Sequence, residues 1–511
     1  MRSTFMGLET NKRGLYTQQS ALYTTGHNIS NANTLGYSRQ RVNMQATAGF
    51  PGVGLNAGTM PGFLGTGVEA GSIQRIRDTF VDQQYRQESN KLGYWESRSK
   101  AIEQMEDVLA EPSEYGLQKS LSEFWASLQT LASSPENGGA RAVAVERGVA
   151  VAESFNYMHK SLTEIQDNLG KELGVSTKDI NSIMQQIADL NRQISNVEPN
   201  GYMPNDLYDA RDLLLDKLST YVPIEVSYEK SGGRALAIAE GSVTVSIKTN
   251  GESITVVKGK DYAEMSIKDA VAGDPQSSDK MTGFTFTANG EANGGDFDIS
   301  DMQKSGELKS LVDSFGYNDG TGVKGLYPDM IDKLNKMAQE FAHAFNEQHK
   351  AGKDLEGNTG ETFFEPEDKD AISAATISVN QAIQDNPNKL AAANQEHTGI
   401  EAGNGKNAKA LADVQFKKIS ALDNSTVQSY YSGVIGELGV EGQQSNNMTF
   451  NATTLLGAVS NRRDSISSVS LDEEMTNMIQ FQQAYNASAR MITVIDETLD
   501  KIINGMGVVG R

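Results

Sequence analysis

The first thirty residues carry apolar side chains at a spacing of seven. The positions share one narrow stripe of a helix and are Leu8, Leu15, Leu22 and Ile29. Residues three to four apart lie on the same helix face, so this spacing predicts an amphipathic α-helix. The positions between them, such as Lys12 and Gln19, are polar. The apolar seam is therefore thin, and such a helix would be marginal in water without a partner.

The other end of the chain carries the strongest periodic pattern. Steps of three and four residues connect Met478, Phe481, Tyr485, Ser488, Ile492, Ile495, Leu499 and Ile502. The pattern predicts a helix from Leu471 to Asn504, about 50 Å long at ~1.5 Å per residue. Ser470 and Glu473 have the spacing of a capping box at its start. Two seams at opposite chain ends predict that the terminal helices pair as a coiled coil.

Helical spacing also dominates much of the interior, which predicts a long antiparallel bundle. The expected helices include one from Val81 to Leu109, one from Phe155 to Val197, a short one capped by Asn205, and further stretches at 308–312, 331–345, 408–438 and 452–469. Between them, from Ile224 onward, apolar residues alternate with polar ones, which is typical of β-strands. Asn250-Gly251 has the sequence of a type I′ hairpin turn.

These patterns predict a mainly α protein with paired terminal helices, a long helical bundle and a small β-rich insertion. The expected domain boundaries are 1–75 with 465–511 for the terminal assembly domain, 76–221 with 305–350 and 407–464 for the bundle, and 222–304 for the insertion. Residues 351–406 are rich in Gly, Asn, Asp and Glu and are predicted to be irregular.

Composition narrows the function. The chain has 511 residues and a net charge of −21. This negative charge disfavours binding to nucleic acids over a broad surface and binding to anionic membranes. The N-terminus lacks the apolar core of a secretory signal, and the apolar runs are too short to cross a bilayer. There is no cysteine, which excludes disulfides and thiolate chemistry.

Candidate catalytic and metal-binding residues are few. His343 and His349 are too far out of phase on a helix for a zinc pair, and Asp354 to Glu361 lacks the glycine of a calcium loop. Asp209 and Asp212 lie three apart beside Arg211, which predicts a solvated helix face. The sequence therefore predicts no enzyme activity, no metal and no cofactor.

Residues 28–37, NISNANTLGY, resemble the N-terminal signature of the flagellar axial proteins of the rod, hook and junction. The continuation Ser38-Arg39-Gln40 is similar to that of the hook-associated junction members of this family. The C-terminal stretch around Gln480 to Arg490 also resembles the matching end of the family. The resemblance covers most of the chain outside the β-rich insertion and residues 365–406.

The resemblance implies a structural subunit exported through the flagellar type III apparatus and located at the extracellular hook-filament junction. The implied partners are further copies in a ring or tube, the hook protein, the next junction protein on the filament side, and an export chaperone on the C-terminal helix. The resemblance also implies terminal helices that are poorly ordered before assembly. Arg39 and Arg41 are expected to face acidic residues of adjacent subunits.

The implied assembly residues are those of the two seams and the signature. They are Leu8, Leu15, Leu22, Asn28, Ile29, Asn31, Asn33, Gly36, Tyr37, Arg39, Met478, Phe481, Tyr485, Ile492, Ile495, Leu499 and Ile502. Two alternatives remain open from the sequence. One is a hook or distal-rod subunit, which shares the asparagine-rich signature. The other is an adhesin or enzyme activity carried by the β-rich insertion.

Overall fold

The structure is a computed structural model, and it describes residues 5–50, 65–109, 116–251, 253–366, 371–395 and 402–505. It confirms the predicted fold class, because long helices dominate, the terminal helices are paired, and small sheets are inserted between helices. No helix in these ranges is both long enough and apolar enough to span a bilayer.

Eleven α-helices are present in the described ranges. They are α1 (Met6–Ser30), α2 (Thr79–Leu109), α3 (Leu117–Ser133), α4 (Gly138–Val197), α5 (Asn205–Tyr221), α6 (Glu307–Phe315), α7 (Leu326–Lys350), α8 (Gln381–Asp385), α9 (Lys406–Asp413), α10 (Val427–Ser467) and α11 (Leu471–Asp500). The last helix continues into one π-helical turn, Lys501–Gly505. The predicted C-terminal helix is therefore confirmed, whereas α3 and the first part of α4 had not been predicted.

The strands form small antiparallel sheets. A hairpin joins β1 (Gln40–Ala46) to β2 (Val68–Arg75). The insertion contains β3 (Ile224–Glu229), β4 (Ser242–Ile247), β5 (Ile254–Lys258), β6 (Asp261–Tyr262), β7 (Glu264–Ile267), β8 (Ala270–Val271), β9 (Asp274–Pro275), β10 (Gly283–Thr287) and β11 (Gly295–Asp298). Short ribbons follow: β12 (Tyr317–Asn318), β13 (Val323–Lys324), β14 (Gly352–Lys353), β15 (Phe364–Pro366), β16 (Ile377–Val379) and β17 (Ala393–Asn394). Sheet orders in the insertion are β3-β4-β5-β6 and β11-β10-β7.

The main apolar core occupies only the middle of the chain. Within the described residues its buried members run from Ala101 on α2 to Leu438 on α10. Its centre is a group of phenylalanine rings whose centroids lie 4.8 to 6.4 Å apart, among them Phe124, Phe341 and Phe364. Close ring packing of this kind stabilises a core beyond the burial of area alone. The terminal helices lie outside this core.

The β-rich insertion packs on α4 and shares its core. Asn191 of α4 accepts the backbone N–H of Val243 at 3.0 Å and donates to its carbonyl at 2.8 Å. Asn181 bonds the backbone of Met265 in the same two ways, at 2.8 and 2.7 Å. Buried amides that satisfy backbone groups at both ends fix one sheet position on the helix. The domain boundaries drawn from the sequence stay a prediction.

Two predicted elements differ in the structure. The helix expected over 408–438 is broken, because Asp423 and Asn424 both adopt positive φ angles, 56° and 55°, which no helix interior accommodates. The continuous helix is instead α10, which also spans the gap expected before 452. Strands β4 and β5 do form a hairpin, but Ile247 pairs with Ile254, so Asn250-Gly251 is not a two-residue turn.

The two predicted helix caps are also wrong. Asn205 lies inside the first turn of α5, where its amide donates to Gln40 Oε1 and to the carbonyl of Ile73. Ser470 precedes α11 without a side-chain capping bond. The carboxylate of Glu473, which a capping box would direct back to the helix start, binds Arg39 instead. Tertiary partners have therefore replaced local capping at both sites.

The segment predicted to be irregular is anchored by two residues of α7. Asn346 Oδ1 accepts the N–H groups of Phe363 and Phe364 at 2.9 and 2.8 Å. His349 is fully buried; its Nδ1 contacts the carbonyl of Glu361 at 2.6 Å, and its Nε2 accepts the N–H of Ala391 at 3.0 Å. These bonds require a neutral imidazole with the proton on Nδ1. His349 is therefore a structural residue.

Low pH is expected to destabilise the segment that His349 anchors. Burial lowers the pKa of His349 from 6.5 to about 4. The unfolded chain therefore binds a proton that the folded chain does not, and stability present above pH 6.5 is lost as the pH falls toward 4. A shift of this size corresponds to about 3 kcal/mol. Urea unfolding between pH 7 and 4 measures it.

The control for this experiment lies on the same helix. His343 is exposed on α7, so H343Q should keep the wild-type loss of stability below pH 6.5. H349Q should be less stable at pH 7 and should lose less on acidification. An H349Q chain with the full wild-type pH dependence would contradict this role of His349.

Candidate assembly interface

The terminal helices α1 and α11 pack against each other in an antiparallel pair. A Cβ atom placed on Gly7 would lie 3.3 Å from Ile495 Cδ1, and one on Gly14 would lie 3.3 Å from Ser488 Oγ. Near the other end, Asn28 Nδ2 donates to Glu474 Oε2 at 3.1 Å. In each pair the two residue numbers add up to the same value. The register is therefore constant along the helices.

The contact face of α1 is built from small residues one position before the predicted leucine stripe. Gly7 and Gly14 allow close approach of α11, and the same register places Ala21 opposite Phe481. The predicted stripe lies beside this face and is half-buried; it comprises Leu8, Leu15, Leu22 and Ile29. On α11 the half-buried residues are Met478, Phe481, Tyr485, Ile492, Ile495 and Leu499, whereas Ile502 is exposed.

A second face of α1 covers the β1-β2 hairpin. The hydroxyl of Thr17 donates to the carbonyl of Val68 at 3.2 Å as well as to that of Arg13. Thr24 and Thr25 are buried on the same helix. This face was not predicted because small polar side chains do not form an apolar stripe. The threonines themselves were the available signal, since a threonine inside a helix can bond its hydroxyl to the helix backbone and so be buried.

The base of the terminal pair is organised by Asn28, which is buried. Its Nδ2 donates to the carbonyl of Gln40 at 2.8 Å and to Glu474 Oε2. Its Oδ1 accepts the N–H of Gln40 at 3.0 Å and the hydroxyl of Tyr37 at 2.8 Å. The amide thus makes the hydrogen bonds that its donors and acceptor lone pairs allow. Asn28 connects α1, the start of β1 and α11.

The other signature residues shape the turn after α1. Asn31 caps the helix through its amide, which donates to the carbonyl of His27 at 3.0 Å. Gly36 has a φ of 80°, and a Cβ atom there would lie 3.3 Å from Leu213. The hydroxyl of Tyr37 also contacts His27 Nδ1 at 2.9 Å, and burial near Asp206 raises its pKa. Asn33 is exposed on the outside of this turn.

Arg39 binds acidic residues of its own chain. Its Nε donates to Glu474 Oε1 and its Nη1 to Glu473 Oε2, both at 2.7 Å. The expectation that Arg39 faces adjacent subunits is therefore not what the structure shows. Within α11, all of which the structure describes, Glu474 is the single buried residue. Its carboxylate has charged and neutral donors, as a buried charge requires.

Next to Arg39 and Glu474, a buried cluster of arginines and carboxylates joins the terminal pair to the rest of the chain, here called the body. Arg75 Nη1 binds Asp209 at 2.7 Å and Asp212 at 2.9 Å. Further ion pairs of this cluster include Arg75 with Glu240, Arg77 with Asp82 and Asp212, Arg86 with Asp212 and Asp216, Arg211 with Glu240, and Arg463 with Asp216. The cluster brings together β2, α2, α5, α10 and the insertion.

This cluster corrects the prediction that Asp209 and Asp212 lie on a solvated face. Asp212 is 3% exposed and Arg211 is 0% exposed. Burial alone would raise the pKa of Asp212, but Arg77 and the other guanidinium groups more than offset it and hold the pKa below its usual value. For Asp209 burial outweighs Arg75, and its pKa is raised. The carboxylates neutralise arginines from distant elements.

Large apolar side chains remain exposed on the outer faces of the pair. On α11 these include Met475 at 56% exposure and Ile479 at 58%. On α1, Tyr16 and Tyr23 are also exposed. Successive exposed apolar residues on paired helices are typical of surfaces that contact other proteins. These side chains lie beside the residues predicted for assembly.

The structure offers little for metal chemistry in the described ranges. No group of three His, Asp or Glu side chains there has the arrangement of a metal site. Asp354, the first residue of the candidate calcium loop, accepts the N–H groups of Glu356 and Asn358 and organises a tight turn. The sequence features that resembled ligand sites therefore have structural partners.

Comparisons with known proteins identify two matching family models. Residues 102–364 match the family model described as the flagellar hook-associated protein FlgK helical domain. Residues 463–505, which contain α11, match the model described as the flagellar basal body rod FlgEFG protein C-terminal. The second match covers the C-terminal half of the pair described above.

Whole-length relatives are also found. The chain is 47% identical to flagellar hook-associated protein 1 of Bacillus subtilis over 521 aligned positions, covering 100% of both chains. It is 25% identical to the Escherichia coli protein of that name, covering 96% of this chain and 98% of the relative. The flagellar hook junction protein FlgK from Burkholderia pseudomallei has a similar fold, with a TM-score of 0.61 at 14% identity, over 76% of this chain and 100% of that one.

Proposed function

The chain belongs to the flagellar hook-associated protein 1 family, and we propose that its paired terminal helices are the element through which it assembles. It is a structural subunit of the bacterial flagellum at the junction between hook and filament. The predicted assembly residues of α1 and α11 are proposed to act in two ways. Asn28 and the half-buried seam residues hold the pair together, and the side chains that stay exposed contact other subunits.

The exposed apolar surface of the pair is the observation that carries this proposal. Met475 and Ile479 lie one turn apart on α11, and Tyr16 and Tyr23 are two turns apart on α1. Burying apolar area gives about 25 cal/mol per Å², so neighbouring subunits would gain stability by covering these side chains. The main core is complete without them. Assembly is therefore the process that would bury this surface.

The partners proposed are other flagellar subunits. Copies of this chain would pack side by side in a ring or tube through their terminal pairs. The hook protein would lie on one side and the next junction protein on the filament side. An export chaperone would bind α11, because an amphipathic helix with an exposed apolar face suits a groove-type partner. Each chaperone contact would be lost once α11 is covered by neighbouring subunits.

The route of the chain and the state of its ends before assembly are proposed from the family resemblance. The chain would be secreted through the type III apparatus without a cleaved signal and would act outside the cell. A cysteine-free chain suits that route, since it cannot form disulfides on leaving the cell. We propose no catalytic activity. That the terminal helices are poorly ordered in the free subunit stays a prediction, and limited proteolysis at 5–30 and 471–505 tests it.

Charges placed on the exposed face of α11 are expected to abolish assembly without unfolding the chain. In M475D/I479D, two side chains that contact water in the single subunit become charged, so subunit contacts are lost while the melting temperature stays nearly unchanged. The measurement is the fraction of cells with filaments when the variant replaces the wild-type gene.

The matched control carries the same substitutions on another exposed apolar pair. Tyr157 and Val175 of α4 are 68% and 54% exposed, so Y157D/V175D adds equal charge to a similarly exposed helix. This control should support filaments. Normal filament numbers in the M475D/I479D strain would contradict the proposed role of the terminal pair.

A further inference from the structure

We propose that the buried carboxylate of Glu474, held by Asn28 and Arg39, sets the register in which the two terminal helices pair. This inference concerns how the pair is specified, and it holds whether or not the pair is the assembly element. It rests on the geometry at the base of the pair. Asn28 Nδ2 lies 3.1 Å from Glu474 Oε2, and Arg39 Nε lies 2.7 Å from Glu474 Oε1.

The apolar pattern alone allows more than one register. On α1 the contact positions Gly7, Gly14 and Ala21 repeat every seven residues, and all three are small. Facing them on α11, the seam repeats every seven residues as well, through Ile495, Ser488 and Phe481. A slip of seven residues therefore brings a small residue opposite a seam residue again. Helix pairs with such repeats need another feature to fix their alignment.

Each of the two nearest slips separates polar groups that are paired in the native register. Moving α11 by seven residues in one direction would place Phe481 opposite Asn28, which leaves the amide and Arg39 without their carboxylate. Moving it the other way would place Glu474 opposite Ala21, away from Arg39. Either slip buries a charged or polar group without its partner. A buried charge that loses its partner is left uncompensated, and this penalty disfavours both slipped registers.

The position of Glu474 supports a specifying role. It is 2% exposed, whereas the neighbouring Glu473 has a side chain that is 62% exposed although it binds the same arginine. A buried polar contact inside an otherwise apolar helix pair is the best-attested way to select one register. Arg39 itself is fixed by backbone bonds on both sides, to Ser467 and Ile76. The backbone position from which the Arg39 side chain reaches Glu474 is therefore fixed.

Engineered disulfides can read the register directly, because the chain has no cysteine. The pair G14C/S488C reports the native register, in which these positions are in contact. The pairs G14C/I495C and G7C/S488C report the two slips of seven residues. In the native register those positions are separated by about 10 Å along the helix axis, beyond the reach of a disulfide. Purified full-length chains are oxidised, and intrachain products are quantified by mass spectrometry.

The ratio of native to slipped cross-links is the readout. A disulfide traps whichever register is visited, so the ratio reports register even when docking is transient, and the total yield reports docking. We expect a wild-type ratio above about ten, a fall of at least about tenfold in E474L, and a smaller fall in E474Q, which keeps an acceptor oxygen. E473Q is the matched control and should keep the wild-type ratio.

Two results would overturn the inference. One is an E474L chain that keeps the wild-type ratio, which would mean that apolar packing alone sets the register. The other is the loss of native and slipped products together in both E474L and N28L, which would make this contact a requirement for docking and not for register. Filament counts in cells with these variants report the proposed function separately.

Discussion

A chain that ends at Ser470 is expected to fold its body normally and to leave cells with hooks but no filaments. The physical reason is the position of the core. Its buried apolar residues in the described ranges end at Leu438, so removal of residues 471–511 takes away none of them. The truncation removes Glu474 and the whole α11 seam, which leaves α1 without its partner helix. Helix α1 would then be covered only on the face that packs on the β1-β2 hairpin.

Two measurements separate the parts of this prediction. Far-UV circular dichroism of the purified truncated chain should show a melting transition within a few degrees of the full-length chain, since about 1 kcal/mol shifts a large domain by only ~2–4 °C. Filament counts in a strain that carries only the truncated gene should fall to background. Normal filaments with the truncated chain would show that assembly does not require the terminal pair. A melting temperature far below that of the full-length chain would show that α11 stabilises the body.

Replacement of Asp212 is expected to have the largest effect of any single substitution on the connection between the pair and the body. Its carboxylate lies 2.9 Å from Arg75, 3.2 Å from Arg77 and 3.3 Å from Arg86. Removing one partner of a buried charge network leaves uncompensated charge and costs about 3 to 5 kcal/mol. D212A should therefore destabilise α5 and β2 by that amount, measured as the free energy of local opening by hydrogen exchange.

An exposed ion pair provides the control for this substitution. Asp189 binds Arg192 at 2.6 Å on the surface of α4, and both side chains are well exposed. D189A removes the same kind of carboxylate but should change stability by no more than about 0.5 kcal/mol, because exposed pairs are screened by water. Equal effects of D212A and D189A would show that the cluster is not the connection that its burial indicates.

The parts of the fold that sequence reasoning predicted are those with regular apolar spacing. The α11 seam predicted the helix and its inner face, because apolar residues recur in steps of three and four from Phe481 to Ile495 with only Ser488 interrupting them. The alternating residues after Ile224 likewise predicted the strands of the insertion. In both cases one face meets an apolar surface. Periodicity is the direct consequence of that contact.

The parts that could not be predicted depend on partners far away in the chain. A charged residue such as Asp212 is expected at the surface when only its own helix is considered. Its three arginine partners lie elsewhere, on β2, on the segment after β2 and on α2. Helix α5 accordingly buries acidic residues on a face that was expected to be solvated. The break at Asp423 and Asn424 depends on backbone angles that helical spacing does not report.

The signature after α1 shows a similar division. The family resemblance indicated that Asn28 and Arg39 matter, but not that they act inside the subunit. Their partner Glu474 lies more than four hundred residues along the chain, and α11 has no other buried residue to mark it. The preceding turn has a positive φ at Gly36, a conformation that glycine adopts without strain. The role of the Asn28 amide depends on tertiary structure alone.

Electron microscopy of hooks from a strain that lacks this gene tests the central claim most directly. Full-length hooks without filaments, together with filament subunits lost to the medium, are the predicted result, because exported filament subunits would have no junction on which to assemble. Complementation with the full chain should restore filaments. Filaments of normal length on the hooks of the deletion strain would contradict the account, and absent hooks would place the chain in the rod or hook instead.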